Sequence, residues 1–176
     1  MKLALLAPAF LALCCTFAHA EGGAEPKPDA PPKELVEQVE RLVHLLSDSF
    51  ATGYPEATMV QTVDITPEQQ LTLAVFTVEG FDMGNSYNQY LAVFDLSANE
   101  EGKVHYRLID QMQIGGDMFR AIQELKASAS KDPKTHTITF SIPALANTAD
   151  DSPNFPSQPV VISVALIKDR LVEVQP

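Results

Sequence analysis

The sequence predicts an α+β domain in which one N-terminal amphipathic helix packs on a curved, mostly antiparallel sheet or partial barrel of about seven strands. Residues 32–51 carry apolar side chains at helical spacing, whereas the chain after them shows seven or eight alternating or continuous apolar runs. Short polar reversals separate most of these runs, and the pattern lacks the crossover helices that a parallel sheet needs. We therefore expect an antiparallel sheet whose concave face holds the helix.

The predicted centre of the sheet is a hairpin formed by residues 71–79 and 87–96. The first run, LTLAVFTVE, is apolar on both faces, which is typical of a strand covered on both sides. The second run is apolar on one face and mixed on the other. Residues 80–86 join the two runs and contain two glycines and an Asn-Ser pair, which suit a chain reversal.

The helix is predicted to run from about Pro32 to Ala51. Its apolar stripe consists of Leu35, Val36, Val39, Leu42, Val43 and Leu46. The Pro31-Pro32 pair suits a helix start, and Gly53 is predicted to end the helix. His44 falls on the polar face, where we expect an ordinary surface residue.

Five further runs are predicted to be strands: residues 57–65, 104–114, 135–142, 160–167 and 171–174. Two segments between them are harder to assign. Residues 117–130 contain strong helix formers but also alternate, and the short turn after them favours a strand. Residues 143–159 contain four prolines and are predicted to be a long irregular loop.

Residues 1–20 have the layout of a secretory signal peptide. Lys2 is followed by an apolar run, and the Ala18-His19-Ala20 triplet matches a cleavage site. Residues 21–32 are rich in proline and glycine and are predicted to be a flexible spacer before a single domain at residues 33–176. The expected location is therefore periplasmic or secreted, after cleavage following Ala20.

The two cysteines leave one alternative open. Cys14 and Cys15 lie in the predicted signal peptide, so cleavage would leave a mature chain without cysteine. The Leu11-Ala12-Leu13-Cys14 sequence partly resembles a lipobox, although Leu13 stands where a small residue is expected. Lipoprotein anchoring through Cys14 or Cys15 is the alternative location.

The charge is acidic and uneven. The net charge is −11, and residues 21–101 contain 3 Lys/Arg against 15 Asp/Glu, whereas residues 102–176 contain 8 of each. Nucleic acids and anionic lipids require basic surfaces, so neither is an expected partner, and no membrane span is predicted. The acidic excess is either a solvated surface or a docking surface for a basic partner.

Three stretches resemble the LppP/LprE-type family of small exported lipoproteins. These are YLAVFDLS at residues 90–97, IGGDMFR at residues 114–120 and DSPNFPSQPVVISVALIKDRLVEV at residues 151–174. Asp151, Pro156 and Ser157 match the family, but Asn154-Phe155 stand where the family has a pair of cysteines. The resemblance implies a shared fold and an exported location, favours a strand at residues 118–127, and implies no activity.

The sequence contains no motif for catalysis or metal binding. His44, His105 and His136 are widely spaced, without a metal-ligand pattern, and no G-x-S-x-G or S-x-x-K motif is present. We therefore predict no catalytic residue, no metal and no cofactor. The favoured function is a non-enzymatic accessory or binding domain for an envelope protein or small ligand. The alternative is a small hydrolase or lyase using His105 or His136 with a carboxylate in the concave face of the sheet.

The candidate binding residues lie in the two most distinctive loops. Phe81 and Met83 belong to the hairpin loop at residues 80–86, and Asp151, Phe155 and Ser157 belong to the proline-rich loop. Exposed apolar side chains in such loops suit a protein or peptide partner. It is equally compatible with the sequence that Phe81 and Phe155 fold back and cover the open ends of the sheet.

Overall fold

The computed structural model describes residues 30–175, and it contains one α-helix followed by a ten-stranded sheet. The predicted signal peptide and most of the predicted spacer lie outside the described residues. The helix α1 spans Lys33–Leu46. The strands are β1 (Thr52–Gly53), β2 (Met59–Thr66), β3 (Gln69–Glu79), β4 (Tyr87–Ala98), β5 (Val104–Gly116), β6 (Arg120–Ala121), β7 (Ser128–Lys131), β8 (Ile138–Ala146), β9 (Gln158–Ile167) and β10 (Arg170–Val174).

All strand pairs are antiparallel, which confirms the predicted α+β class. The order across the sheet is β1-β3-β4-β5-β6-β8-β9-β10, with β2 also paired to β3 and β7 also paired to β8. Each predicted strand corresponds to one of the longer strands. The count exceeds seven because of the two-residue strands β1 and β6 and the four-residue strand β7.

The inner faces of the two halves of the sheet form one core. The buried side chains that meet there include Leu73 and Val75 of β3, Leu91 and Val93 of β4, Phe140 and Ile142 of β8, and Ile162 and Val164 of β9. Strands β3–β4 and β8–β9 do not pair and are separated by β5 and β6 in the sheet order. The sheet must therefore fold over on itself, which fills its interior with aliphatic and aromatic side chains.

Helix α1 packs on the opposite, outer face of β3 and β4. Leu35 and Val39 are fully buried in a second cluster that contains Phe76 and Tyr90, whose rings stack with centroids 5.6 Å apart. The prediction that the concave face holds the helix is therefore wrong. The physical reason is that β3 is apolar on both faces, and one face already serves the interior core.

The helix ends earlier than predicted. Ser47 is extended, and both its N–H and its Oγ donate to the carbonyl of Val43, at 2.9 and 2.7 Å, which caps the helix after Leu46. Gly53 does not end the helix but lies in β1 beneath it. A Cβ atom at Gly53 would approach Cγ2 of Val43 to 2.8 Å, so the close contact between helix and strand requires glycine there.

Residues 117–130 are neither a helix nor one continuous strand. They form a turn, the short strand β6, an irregular stretch and then β7. Strand β6 lies opposite Leu145 and β7 begins opposite Ser141, so three residues of β8 face six residues of chain, 122–127. These residues form a bulge in which Ile122, Leu125 and Ala127 face the interior core, whereas Gln123, Glu124 and Lys126 are exposed.

The predicted irregular loop at residues 143–159 is shorter than expected. Strand β8 continues through Pro143, and β9 begins at Gln158, so the loop covers residues 147–157. Pro143 lies opposite Val161 of β9, but on the other side of β8 it falls in the gap between β6 and β7 and has no partner strand. An interrupted ladder is the kind of strand position that accommodates proline.

Side chains hold the last strand, β10, against β5. Asp110 Oδ2 accepts a hydrogen bond from the backbone N–H of Leu171 at 2.8 Å. Arg120 donates two hydrogen bonds to the carboxylate of Glu173, at 2.7 and 2.6 Å, and a third to the carbonyl of Ile114 at 2.6 Å. The free edge of β10 is therefore partly occupied by the protein's own side chains, which limits pairing with another chain.

Candidate functional site

The hairpin loop and the loop at residues 147–157 meet at one end of the molecule. They line a groove of about 580 Å³, which is called the end groove below. Its lining residues are Phe81, Asp82, Gly84, Asn85, Ser86, Asp117, Ser152, Pro153, Asn154 and Phe155. Two of the predicted binding residues, Phe81 and Phe155, therefore line one groove although they lie 74 positions apart in the sequence.

The carboxylate of Asp48 fixes the hairpin loop. Its Oδ1 accepts the backbone N–H groups of Phe50 and Ala51, and its Oδ2 accepts the N–H of Asp82 at 2.9 Å. The hydrogen bond from Asp82, followed by the other two, lowers the pKa of Asp48. Asp82 and Met83 have φ values of 54° and 59°, and this contact helps to hold that unfavourable backbone conformation.

Asp151 fixes the other loop in a similar way. Its Oδ2 accepts hydrogen bonds from the N–H of Thr148 at 2.8 Å and from both the N–H and the Oγ of Ser157 at 3.1 Å. The N–H of Thr148, followed by the hydroxyl of Ser157, lowers the pKa of Asp151. Asp151 and Ser157 were predicted to be binding residues, but their contacts in the structure are with this loop.

The turn between β5 and β6 completes the end groove. The N–H of Met118 donates to the carbonyl of Pro153 at 3.0 Å, which joins the turn to the second loop, and the N–H of Asp117 donates to the carbonyl of Tyr87 at 3.0 Å. Gly115 makes this junction possible, because a Cβ there would lie 2.7 Å from the carbonyl oxygen of Arg120.

Large apolar side chains are exposed around the end groove. The exposed fractions are 77% for Met83, 75% for Phe155, 72% for Met118 and 51% for Phe119. Phe81 is instead partly buried against the cluster beneath α1. Of the two phenylalanines that could have folded back, one packs against the core and the other is exposed.

Sequence reasoning missed Asp117, Met118 and Phe119, because residues 117–130 had been interpreted as a regular element. The Gly-Gly-Asp sequence at residues 115–117 was the available signal. Glycine followed by aspartate is typical of a turn, and exposed turns carry binding residues more often than strands do.

A second groove, of about 520 Å³, lies beside the bulge. It is lined mainly by apolar residues of β8 and β9, including Pro143, Leu145, Pro159 and Val161, and by Gln123, Glu124 and Lys126 of the bulge. Glu124 and Lys126 form an ion pair with 2.8 Å between Oε2 and Nζ. The groove has no excess of either charge.

The described residues do not assemble a histidine–carboxylate pair. His105 and His136 are both exposed, and within residues 30–175 neither has a carboxylate oxygen within 4.0 Å of its ring nitrogens. His136 shares a polar pocket of about 190 Å³ with Asp95 and Asp169, but the interior of the folded sheet holds the apolar core. In that same part of the chain, no cluster of three or more His, Cys, Asp or Glu residues could hold a metal.

Comparisons with protein-family models, with curated proteins and with solved structures found no match. The resemblance to the LppP/LprE-type family stays a prediction. Among residues 30–175, the structure has no helix with the length and apolar character needed to cross a membrane.

Proposed function

We propose that this chain is an exported, non-enzymatic binding domain that docks an envelope protein at the end groove. The observation that carries the proposal is that three separate chain segments line one groove, with Phe155 exposed in its lining and the exposed Met83 and Met118 next in sequence to lining residues. Large apolar side chains exposed in loops that share a groove are typical of protein interaction sites.

The hydrogen bonds that fix the groove-lining loops support a binding role for the side chains exposed there. Asp48 accepts one hydrogen bond from the hairpin loop, at Asp82, and Asp151 accepts three within the second loop. The Met118–Pro153 hydrogen bond ties the third segment to the second. A surface held in one conformation before binding loses less conformational entropy when a partner arrives.

The export part of the proposal depends on the signal-peptide pattern at residues 1–20. Signal peptidase should cleave after Ala20, which would remove both cysteines. The intact mass of the protein recovered from its host tests this directly. A mass that matches residues 21–176 supports export. A mass increase from a lipid at Cys14 or Cys15 would instead indicate the anchored form.

The docking part can be tested by retention of a partner. The full-length chain with a C-terminal affinity tag is expressed in its own host, alongside a Met83→Ser/Phe155→Ser variant. Val161→Ser is the matched control, because Val161 is 59% exposed on β9, away from the end groove. We expect a partner retained by the parent and by Val161→Ser but lost from the double variant. Equal retention by all three proteins, or no retained partner, would refute docking at the end groove.

A further inference from the structure

We infer that the end groove binds an arginine or lysine side chain of the partner protein, with the carboxylate of Asp117 as its counter-ion and Phe155 as an aromatic wall. This inference rests on the proposed function and names the chemistry of the docking segment. It follows from the charges, the unpaired acceptors and the aromatic rings of the end groove.

The lining of the end groove carries negative charge alone. It contains the carboxylates of Asp82 and Asp117, the polar side chains of asparagines and serines, and no Lys, Arg or His. Arg120 follows the turn in sequence, but it is buried and its guanidinium is bound to Glu173 and to the carbonyl of Ile114. The charge of the lining therefore favours a cationic ligand.

Two acceptors next to the groove lack donors. Asp117 Oδ1 and Asn147 Oδ1 are shielded from water, and neither accepts a hydrogen bond from any residue in the range 30–175. Both belong to the same junction, because the N–H of Asn147 donates to the carbonyl of Phe119 in the turn that Asp117 begins. No donor of the described residues therefore offsets the negative charge of Asp117 at this oxygen, and because Asp117 lines the end groove, that charge favours a cation bound there.

The negative charge of Asp117 also affects the pKa of the neighbouring Tyr87. Its pKa is raised first by burial and then by the negative charge of Asp117. The charge of Asp117 therefore acts on its surroundings. Asp117 also lines the end groove, so the same charge acts on a ligand bound in the groove.

The phenylalanine side chains of the end groove favour a guanidinium or ammonium group as the bound cation. Phe155 lines the groove and is 75% exposed, and Phe81 lines the same groove. A guanidinium or ammonium group is attracted to the face of a phenyl ring within about 6 Å of its centroid. In the turn that completes the groove, Arg120 already makes such a contact, 4.3 Å from the centroid of Phe119. A volume of about 580 Å³ is large enough for a long side chain and its flanking backbone.

Binding of defined peptides to the full-length processed protein provides the test. The probe is a fluorescein-labelled peptide, Gly-Ser-Arg-Leu-Arg-Gly-Ser, and its comparison peptide has citrulline, the neutral isostere, in place of both arginines. Fluorescence anisotropy is measured at low and high salt. We expect the arginine peptide to bind more tightly than the citrulline peptide, by about tenfold or more, with the difference reduced by salt.

Asp117→Asn should remove most of this preference, whereas Glu101→Gln should leave it unchanged. Both variants lose one negative charge, but Glu101 lies in the exposed turn between β4 and β5, away from the groove lining. Amide chemical-shift changes of the unmodified protein give a second measurement that does not depend on a variant. They should concentrate on the end groove, at Phe81, Asp117 and Phe155.

Three results would overturn the inference. These are equal binding of the two peptides, shifts located away from the end groove, and a preference for the arginine peptide that Asp117→Asn leaves unchanged. If the arginine peptide does not bind but the Met83→Ser/Phe155→Ser variant still loses its partner, the inference fails and the proposed function stands. If that variant also keeps its partner, the proposed function fails as well.

Discussion

The side-chain amide of Gln89 pairs with the backbone of Ile122 in the way that a neighbouring strand would. Its Oε1 accepts the N–H of Ile122 at 2.8 Å and its Nε2 donates to the Ile122 carbonyl at 3.0 Å. Gln61 makes the same two contacts with Ala127, at 2.7 and 2.8 Å. The two glutamines therefore supply hydrogen-bond partners for the backbone at both ends of the bulge at residues 122–127, which has no continuous strand partner.

Replacement of Gln89 should destabilise the domain strongly. Gln89 is 7% exposed, so Gln89→Leu would leave the N–H and carbonyl of Ile122 buried without partners. We expect a loss of about 3 kcal/mol in the free energy of unfolding. Urea denaturation measures it, with Gln123→Leu, at an exposed position of the same bulge, as the control. Similar stabilities of the two variants would contradict this role of Gln89.

The position of α1 on the outer face of the sheet predicts a sharp contrast between two leucines. Both belong to α1, and Leu35 is fully buried against the sheet whereas Leu45 is 79% exposed. Leu35→Ala should lower the free energy of unfolding by about 2–5 kcal/mol, because it removes buried methyl groups and leaves a cavity. Leu45→Ala should change it by less than about 0.5 kcal/mol. Equal effects in thermal or urea unfolding would show that the helix does not use this face.

The sequence was sufficient to predict the elements but not how they stack. The stripe containing Leu35 and Val39 correctly predicted a helix, and alternation correctly predicted the longer strands. Both faces of residues 71–79 are apolar, however, and periodicity does not say which face meets the helix. Strands β8 and β9 decide which face meets the helix, because they pack on the other face of β3 and β4. These contacts join residues that are distant in sequence.

The incorrect predictions concern segments whose conformation is set by side-chain hydrogen bonds and not by regular backbone pairing. The bulge after β6 is set by Gln61 and Gln89, which are 66 and 33 residues from the positions they bind. The early end of α1 is set by Ser47, and the hairpin loop is held by Asp48. The Ser47 contact is local, with Val43 four positions earlier, whereas the contacts of the two glutamines and of Asp48 with Asp82 join residues distant in sequence and have no local signature. For the same reason, Phe81 and Phe155 could be selected as exposed aromatic residues in loops, whereas their meeting with Asp117 could not be predicted.

The pairing of Arg120 with Glu173 predicts acid sensitivity. The hydrogen bonds from Arg120 hold the pKa of Glu173 below its ordinary value of 4.5. Because the folded-state pKa is lower than the unfolded-state pKa, the stabilisation is fully present above pH 4.5 and is lost as pH falls through the folded-state pKa. Glu173→Gln should therefore be less stable than the parent at neutral pH, and the difference should shrink below pH 4.5.

Urea denaturation of both proteins over a series of pH values measures this difference. The effect should be modest, because the Glu173 side chain is 43% exposed. Glu100→Gln, in an exposed turn, is the control and should show no comparable trend. A difference that stays constant from neutral pH to pH 3 would exclude the ion pair as its cause.

Asp151 should control the loop at residues 147–157 without controlling the whole fold. Asp151→Ala removes the acceptor for Thr148 and for both groups of Ser157, whereas Asp150→Ala removes a neighbouring exposed carboxylate that holds no part of this loop by a side-chain hydrogen bond. Native-state hydrogen exchange should accelerate at Thr148 and Ser157 in the first variant alone. Unchanged protection in Asp151→Ala would show that other contacts hold the loop.

Exposed methionines should make the end groove sensitive to oxidation. Met83 and Met118 are 77% and 72% exposed, whereas Met59 and Met112 are partly buried against the interior core. Dilute hydrogen peroxide should therefore oxidise Met83 and Met118 first, as peptide mass spectrometry would show, and the polar sulfoxides should weaken partner retention. A Met83→Leu/Met118→Leu variant should resist this loss, because leucine keeps the apolar surface. Equal sensitivity of the parent and this variant would place the oxidisable contact elsewhere.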